Sequence, residues 1–99
     1  MIKDVHDLLP VGSVVLLHNG TDRVIINGYL PYNAEDDTTY DYLGQPYPVG
    51  QITEFVAEFN LYKNTNDLVF NHENIQSIIF KGYNDSERED MLNKLSEQL

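Results

Sequence analysis

Ninety-nine residues, 41% of them apolar, suffice for one modest core and are too few for two, so the chain reads as one domain over residues 1–99. Sixteen acidic against six basic residues leave a net charge of −10, which repels phosphate backbones and anionic bilayers and argues against nucleic acid or membrane as a partner. The absence of cysteine removes disulfides, thiolate zinc sites and a cysteine nucleophile, and no apolar run is long enough for a signal core or a membrane span, which points to the cytoplasm.

Near the start, Leu8, Leu9 and Pro10 read as an entry turn packed under a sheet, because Pro10 stops the first strand from extending backwards. Residues 12–18 (GSVVLLH) and 23–29 (RVIINGY) are strand-forming runs around Asn19-Gly20-Thr21-Asp22. Asn-Gly accepts the positive φ angles of a tight turn, so the pair predicts a β-hairpin. An exposed loop at Ala34-Glu35-Asp36-Asp37 precedes a third strand over residues 38–43 (TTYDYL). Residues 44–50 (GQPYPVG) then break the ladder, since two prolines remove two backbone donors.

Residues 51–59 fit two templates. Ile52, Phe55, Val56 and Phe59 share a helical face, while Phe55, Ala57 and Phe59 alternate as in a strand; the reading chosen is a short helix. Leu68-Val69-Phe70 is a short strand, residues 71–74 a turn and residues 75–80 (IQSIIF) a strand. Ser86 and Glu89 have capping-box spacing, and Met91, Leu92, Leu95 and Leu99 form one stripe, which predicts a C-terminal amphipathic helix over about residues 87–99. The sheet core spans about residues 8–83.

Candidate chemistry is sparse. His6, His18 and His72 lie in three different elements without ligand spacing, so no metal site is expected. His72-Glu73 opens like a zincin motif, but Ile75 and its neighbours supply no second histidine, and a turn is the preferred reading. Glu35, Asp36, Asp37 and Asp41 lack the calcium-loop spacing, which favours a solvated acidic loop. Asp4, His6 and Ser13 lack a nucleophile context. No catalytic residue and no cofactor are therefore assigned. Seven tyrosines are many for so small a core, and tyrosine is enriched at contact surfaces. Tyr29, Tyr32, Tyr40, Tyr42, Tyr47, Phe55, Phe59 and Tyr83 are the candidate partner-binding residues.

Leu9-Pro10-Val11-Gly12-Ser13-Val14-Val15-Leu16-Leu17, then Ile26-Asn27-Gly28-Tyr29, Tyr40-Asp41-Tyr42-Leu43-Gly44, Tyr47-Pro48-Val49-Gly50, Phe70-Asn71-His72-Glu73-Asn74-Ile75 and Ile79-Phe80-Lys81-Gly82-Tyr83 follow one another in an order that resembles the family catalogued as domain of unknown function 4176. That family is found in Gram-positive bacteria beside LXG toxins in type VII secretion loci. The resemblance covers about residues 8–87. It implies a non-enzymatic cytoplasmic accessory, a chaperone or targeting factor that binds an LXG effector or its small helical partners before secretion. Residues 51–69 depart from the family pattern by their length, which places partner identity there. Tyr83 and Glu87 match the Y-x-x-x-[D/E] signal of type VII cargo, but so many tyrosines and acids make one match expected by chance, and the W-x-G hairpin is missing.

The fold expected is α+β: a small curved antiparallel sheet of four to five strands, with an SH3-like partial barrel as one form of closure, covered by the C-terminal amphipathic helix. The function expected is a protein-binding LXG accessory. The alternative is an immunity protein whose acidic loop mimics a toxin's substrate, and a small enzyme using His72 and Glu73 is the third. Assembly with further copies of the chain stays open.

Overall fold

The computed structural model describes residues 1–18, 20–21, 23–50 and 67–99. The two strand-forming runs beside the Asn-Gly segment pair as expected: β1 (Val14–Leu17) lies antiparallel to β2 (Arg23–Tyr29), with Val15 opposite Val24. Of the connecting turn, Asn19 and Asp22 fall outside the described residues. β5 (Tyr42–Pro46) pairs with the other side of β2, β6 (Leu68–Phe70) with β5, and β7 (Ile75–Phe80) with β1. The result is an open, antiparallel, five-stranded sheet in the order β6-β5-β2-β1-β7. With one C-terminal helix, α1 (Ser86–Gln98), the fold is α+β, and the sheet does not close into a barrel.

The segment expected as one third strand is divided. Thr38–Thr39 (β4) pairs with Tyr32–Asn33 (β3) in a separate two-stranded ribbon, and the main sheet resumes only at Tyr42. The break follows from Asp41, which is fully buried and whose carbonyl accepts the Leu30 amide. The acidic excursion is accordingly the tight turn of the β3–β4 hairpin.

Residues 44–46 do not break the ladder, contrary to the expectation from the two prolines. Gly44, Gln45 and Pro46 continue β5 opposite Ile26, Ile25 and Val24. The reason is local: Tyr47 donates to Arg23, so by strand alternation the missing Pro46 donor faces away from β2. On that side β6 (Leu68–Phe70) reaches only as far as Gly44, and none of the described residues pairs with Pro46 there. Only the following residues, 47–49, turn away. The short helix expected over residues 51–59 lies outside the described residues.

The core collects on one face of the sheet. Val15, Val24, Ile26, Tyr42 and Phe70 pack with Val5, Leu8, Leu9 and Leu92, flanked by Ile2, Leu17, Tyr29, Ile75 and Leu95. Leu8, Leu9 and Pro10 are buried, as the entry-turn reading requires. A 3-10 turn at Val5–Asp7 precedes them, capped by the Asp4 side chain.

At the helix start the cap is Asp85, whose Oδ1 accepts the Arg88 amide at 3.0 Å. Ser86, the expected cap, is the first helical residue, and the Glu89 carboxylate accepts from the Asn84 side-chain amide instead. This one-residue shift places Arg88 in the first turn, from which its guanidinium reaches the Leu8 carbonyl at 2.6 Å. The apolar stripe is also divided. Leu92 is fully buried and Leu95 half-buried against the core, whereas Met91 and Leu99 are exposed.

Candidate protein-binding surface

An open groove of about 380 Å³ is lined by Val11, Tyr29, Tyr83, Asp85, Glu87, Arg88 and Met91. Its walls come from three elements. Val11 sits in a tight turn closed by Ser13 donating to the Pro10 carbonyl, with Gly12 at φ 94°. Gly82 is pressed against that turn: a Cβ there would meet the Val11 oxygen at 2.5 Å, and its amide donates to the buried Ser13 Oγ. This close approach brings Tyr83, next in the chain, into the groove beside Val11. Met91 enters from the exposed side of the helix.

The floor is polar and anchored. Arg88 donates to the Leu8 carbonyl, to the Tyr29 hydroxyl at 3.4 Å and to Asn84 at 3.1 Å, while Tyr29 donates to the Leu9 carbonyl at 2.6 Å. Arg88 Nε is buried and has no hydrogen-bond partner among the described residues. Exposed apolar walls (Val11 50%, Tyr83 79%, Met91 38%) thus stand beside the anchored Arg88, and Asp85 and Glu87 also line the groove. Such a surface suits an apolar anchor from a partner with basic groups near the carboxylates.

The tyrosines do not form one patch. Tyr29 and Tyr83 meet in the groove. Tyr42 is fully buried and belongs to the core, its ring against Phe70 with centroids 5.4 Å apart, so it is not available for contact. Tyr32 and Tyr40 donate to Asp37 and Asp36 across the β3–β4 turn, and these carboxylate partners push both phenols above the usual tyrosine range. Tyr47 lies under the Arg23 guanidinium, 4.7 Å from ring centroid to carbon. Phe55 and Phe59 lie outside the described residues.

The reactive groups weighed in the sequence are dispersed. His72 Nδ1 is bonded to the Tyr42 hydroxyl, whereas the Glu73 side chain is 72% exposed and lies 3.6 Å from the Met1 amino group. His6 bridges Asp4 and Asn93, while the Ser13 Oγ accepts from the Gly82 amide. Asp41 is separated from the acidic turn and accepts the amides of Ile2 and His72, each at 2.9 Å. Among the described residues no three His, Asp or Glu side chains converge as metal ligands, and no helix is long and apolar enough to cross a membrane. Arg88 and Val11 were not singled out from the sequence. The one available signal was a lone arginine among acids in the first helical turn.

An open antiparallel sheet with one terminal helix, and an exposed apolar groove beside Arg88, define a small α+β domain. The chain belongs to the family described as domain of unknown function 4176, whose model matches residues 8–91. Comparisons with curated proteins and with solved structures find no match.

Proposed function

We propose that the chain is a non-catalytic cytoplasmic accessory, a chaperone or targeting factor, that binds an LXG-type effector of a type VII secretion system or the effector's small helical partners. The observation that carries the reading is the recess in which the exposed Val11, Tyr83 and Met91 stand together beside Arg88, Asp85 and Glu87. A charge of −10 favours a basic or amphipathic protein over nucleic acid. An amphipathic helix laying an apolar side chain between Tyr83 and Met91 fits the recess, and the association implied by the family resemblance supplies the class of partner.

Co-purification with separate effector fragments tests it. Capture by the LXG helical region is expected, with at least about tenfold loss in the double variant Tyr83→Ser/Met91→Ser, both sites being exposed. Capture by the C-terminal toxin domain alone turns the reading into the immunity protein, and unchanged capture by the double variant removes the groove from it.

A further inference from the structure

Helix α1 carries an exposed stripe whose members follow in the order acid, apolar, base. At 3.6 residues per turn, Glu87, Met91 and Lys94 fall within about 60° of one another around the axis, on a different flank from the core-facing Leu92 and Leu95. All three are exposed. Glu87 and Met91 line the groove, and Lys94 stands almost one turn beyond Met91. Glu87 and Lys94 are about 10 Å apart along the axis, too far to pair, and among the described residues neither makes an ion pair. The neighbouring charges are turned elsewhere. The Arg88 guanidinium reaches in to the Leu8 carbonyl, Asp85 accepts the Arg88 amide and Glu89 accepts from Asn84. Asp90 is two residues from Leu92 and so lies on the opposite side of the helix from the core. Glu87 suits the positive end of the helix dipole, but Lys94 is not in the last turn, so the dipole does not account for it.

We infer that Glu87 and Lys94 fix the direction in which a partner helix lies along α1. The partner's apolar anchor enters beside Met91, a basic residue one turn to one side of it meets Glu87, and an acidic residue one turn to the other side meets Lys94. The inference rests on the helical partner of the proposed function and adds the charge order that such a helix must carry. Val11, Tyr83 and Met91 supply apolar contact in either direction, so they do not orient the partner. The net charge of −10 attracts a basic partner at long range whichever way it lies. Orientation therefore falls to the two unpaired charges that flank the anchor. Each exposed pair is weak by itself, but laying the helix the wrong way round replaces two attractions with two repulsions.

The double exchange Glu87→Lys/Lys94→Glu tests it, because it reverses the order while leaving the net charge unchanged. Capture of the LXG helical region is expected to weaken about tenfold at low salt and to match wild type near 1 M salt, where the screening length falls to about 3 Å. Circular dichroism is expected to stay native. Direction is read separately with a synthetic helical peptide that carries lysine four residues before and glutamate three residues after a central leucine. The chain has no cysteine, so Gln98→Cys supplies one site for a nitroxide at the end of α1. In the otherwise wild-type chain the nitroxide is expected to broaden the nuclear magnetic resonance signals of the peptide's glutamate end, and in the double exchange those of its lysine end. Broadening of the same end in both, a peptide that does not bind, or equal capture of the effector region by wild type and the double exchange at low salt overturns the inference. Failure of wild type to capture the effector region removes the accessory reading instead, and the peptide then decides the direction by itself.

Discussion

The Tyr42 hydroxyl accepts the Leu9 amide at 2.9 Å and lies 2.7 Å from His72 Nδ1. The phenol accepts from the Leu9 amide and shares a second hydrogen bond with His72 Nδ1, whose direction follows the His72 tautomer. One buried side chain thereby joins the entry segment, the middle of the sheet and the turn before β7. Its neighbour Asp41 ties the N-terminal Ile2 to the same turn before β7 through the amides of Ile2 and His72.

Tyr42→Phe keeps the ring packing and leaves the Leu9 amide without its acceptor. A buried donor left unsatisfied costs about 1–3 kcal/mol, so thermal or urea unfolding is expected to show a loss of that size. Burial pushes the Tyr42 phenol up to about 12. Between its ordinary value of 10 and that figure the unfolded chain releases a proton that the folded chain retains, so stability falls as pH rises through this window. The Phe variant is expected to lack this component of the alkaline loss, which paired melts at pH 9 and 11 would reveal.

Gly44 lies where no side chain fits. A Cβ would stand 2.6 Å from Val24 Cγ1 and 2.8 Å from the Ile25 oxygen, with Phe70 Cε1 at 3.1 Å. Because the Ile25 oxygen is backbone within the ladder, it cannot simply rotate away. Gly44→Ala is expected to destabilise the domain by about 1–3 kcal/mol, the usual range for overpacking, seen as a lower urea midpoint with an unchanged slope.

The helix stripe separates into two roles that stability and binding measurements can tell apart. Leu95→Asp puts a carboxylate against the core and is expected to cost about 2 kcal/mol or more. Met91→Asp lies at the exposed groove wall and is expected to change stability by no more than about 0.5 kcal/mol while weakening partner capture. Equal melting temperatures for Leu95→Asp and wild type would place that residue outside the packed face.

His6 is a pH-dependent link between the 3-10 turn and the helix. Its Nε2 is 2.8 Å from Asn93 Oδ1 and its Nδ1 is 2.8 Å from Asp4 Oδ1. Both partners accept, so the protonated ring serves both, and the Asn93 bond first, the Asp4 bond next and the charges of Asp4 and Glu89 raise its pKa above 6.5. Asp4 is lowered below 3.8, chiefly by the His6 backbone amide and then by its ring. A raised histidine stabilises fully below 6.5 and ceases to do so as pH rises through its folded value; a lowered aspartate stabilises above 3.8 and ceases as pH falls through its own. The advantage of wild type over His6→Gln is therefore expected to be greatest between about pH 4 and 6.5 and to shrink on either side. A difference in melting temperature that is flat from pH 5 to 9 would contradict this.

The strands of the first hairpin, the short strand Leu68–Phe70, the IQSIIF strand and the terminal helix were legible because each is a local pattern with its own period and punctuation. The divided third strand was not, because Asp41 turns the chain inward to meet amides 39 residues earlier and 31 later. The persistence of β5 through Pro46 was equally hidden, since it depends on where a neighbouring strand stops. Of the candidate contact residues, the groove gathers Tyr29 and Tyr83, and the core takes Tyr42. Side-chain type told the three apart no better than chance, because a tyrosine hydroxyl is satisfied in a core as well as at a surface.

By itself, then, the sequence determined the strand and helix segments, the acidity, the absence of cysteine and the family resemblance, all of which follow from residue order and composition. Only the tertiary structure decided which apolar residues stay uncovered, that Arg88 reaches the entry turn beneath a groove, and that β7 rather than a charged strand stands at the sheet edge. Those depend on contacts between segments as far apart as Leu8 and Arg88, and such contacts arise from the packing of the whole chain, which no local pattern contains.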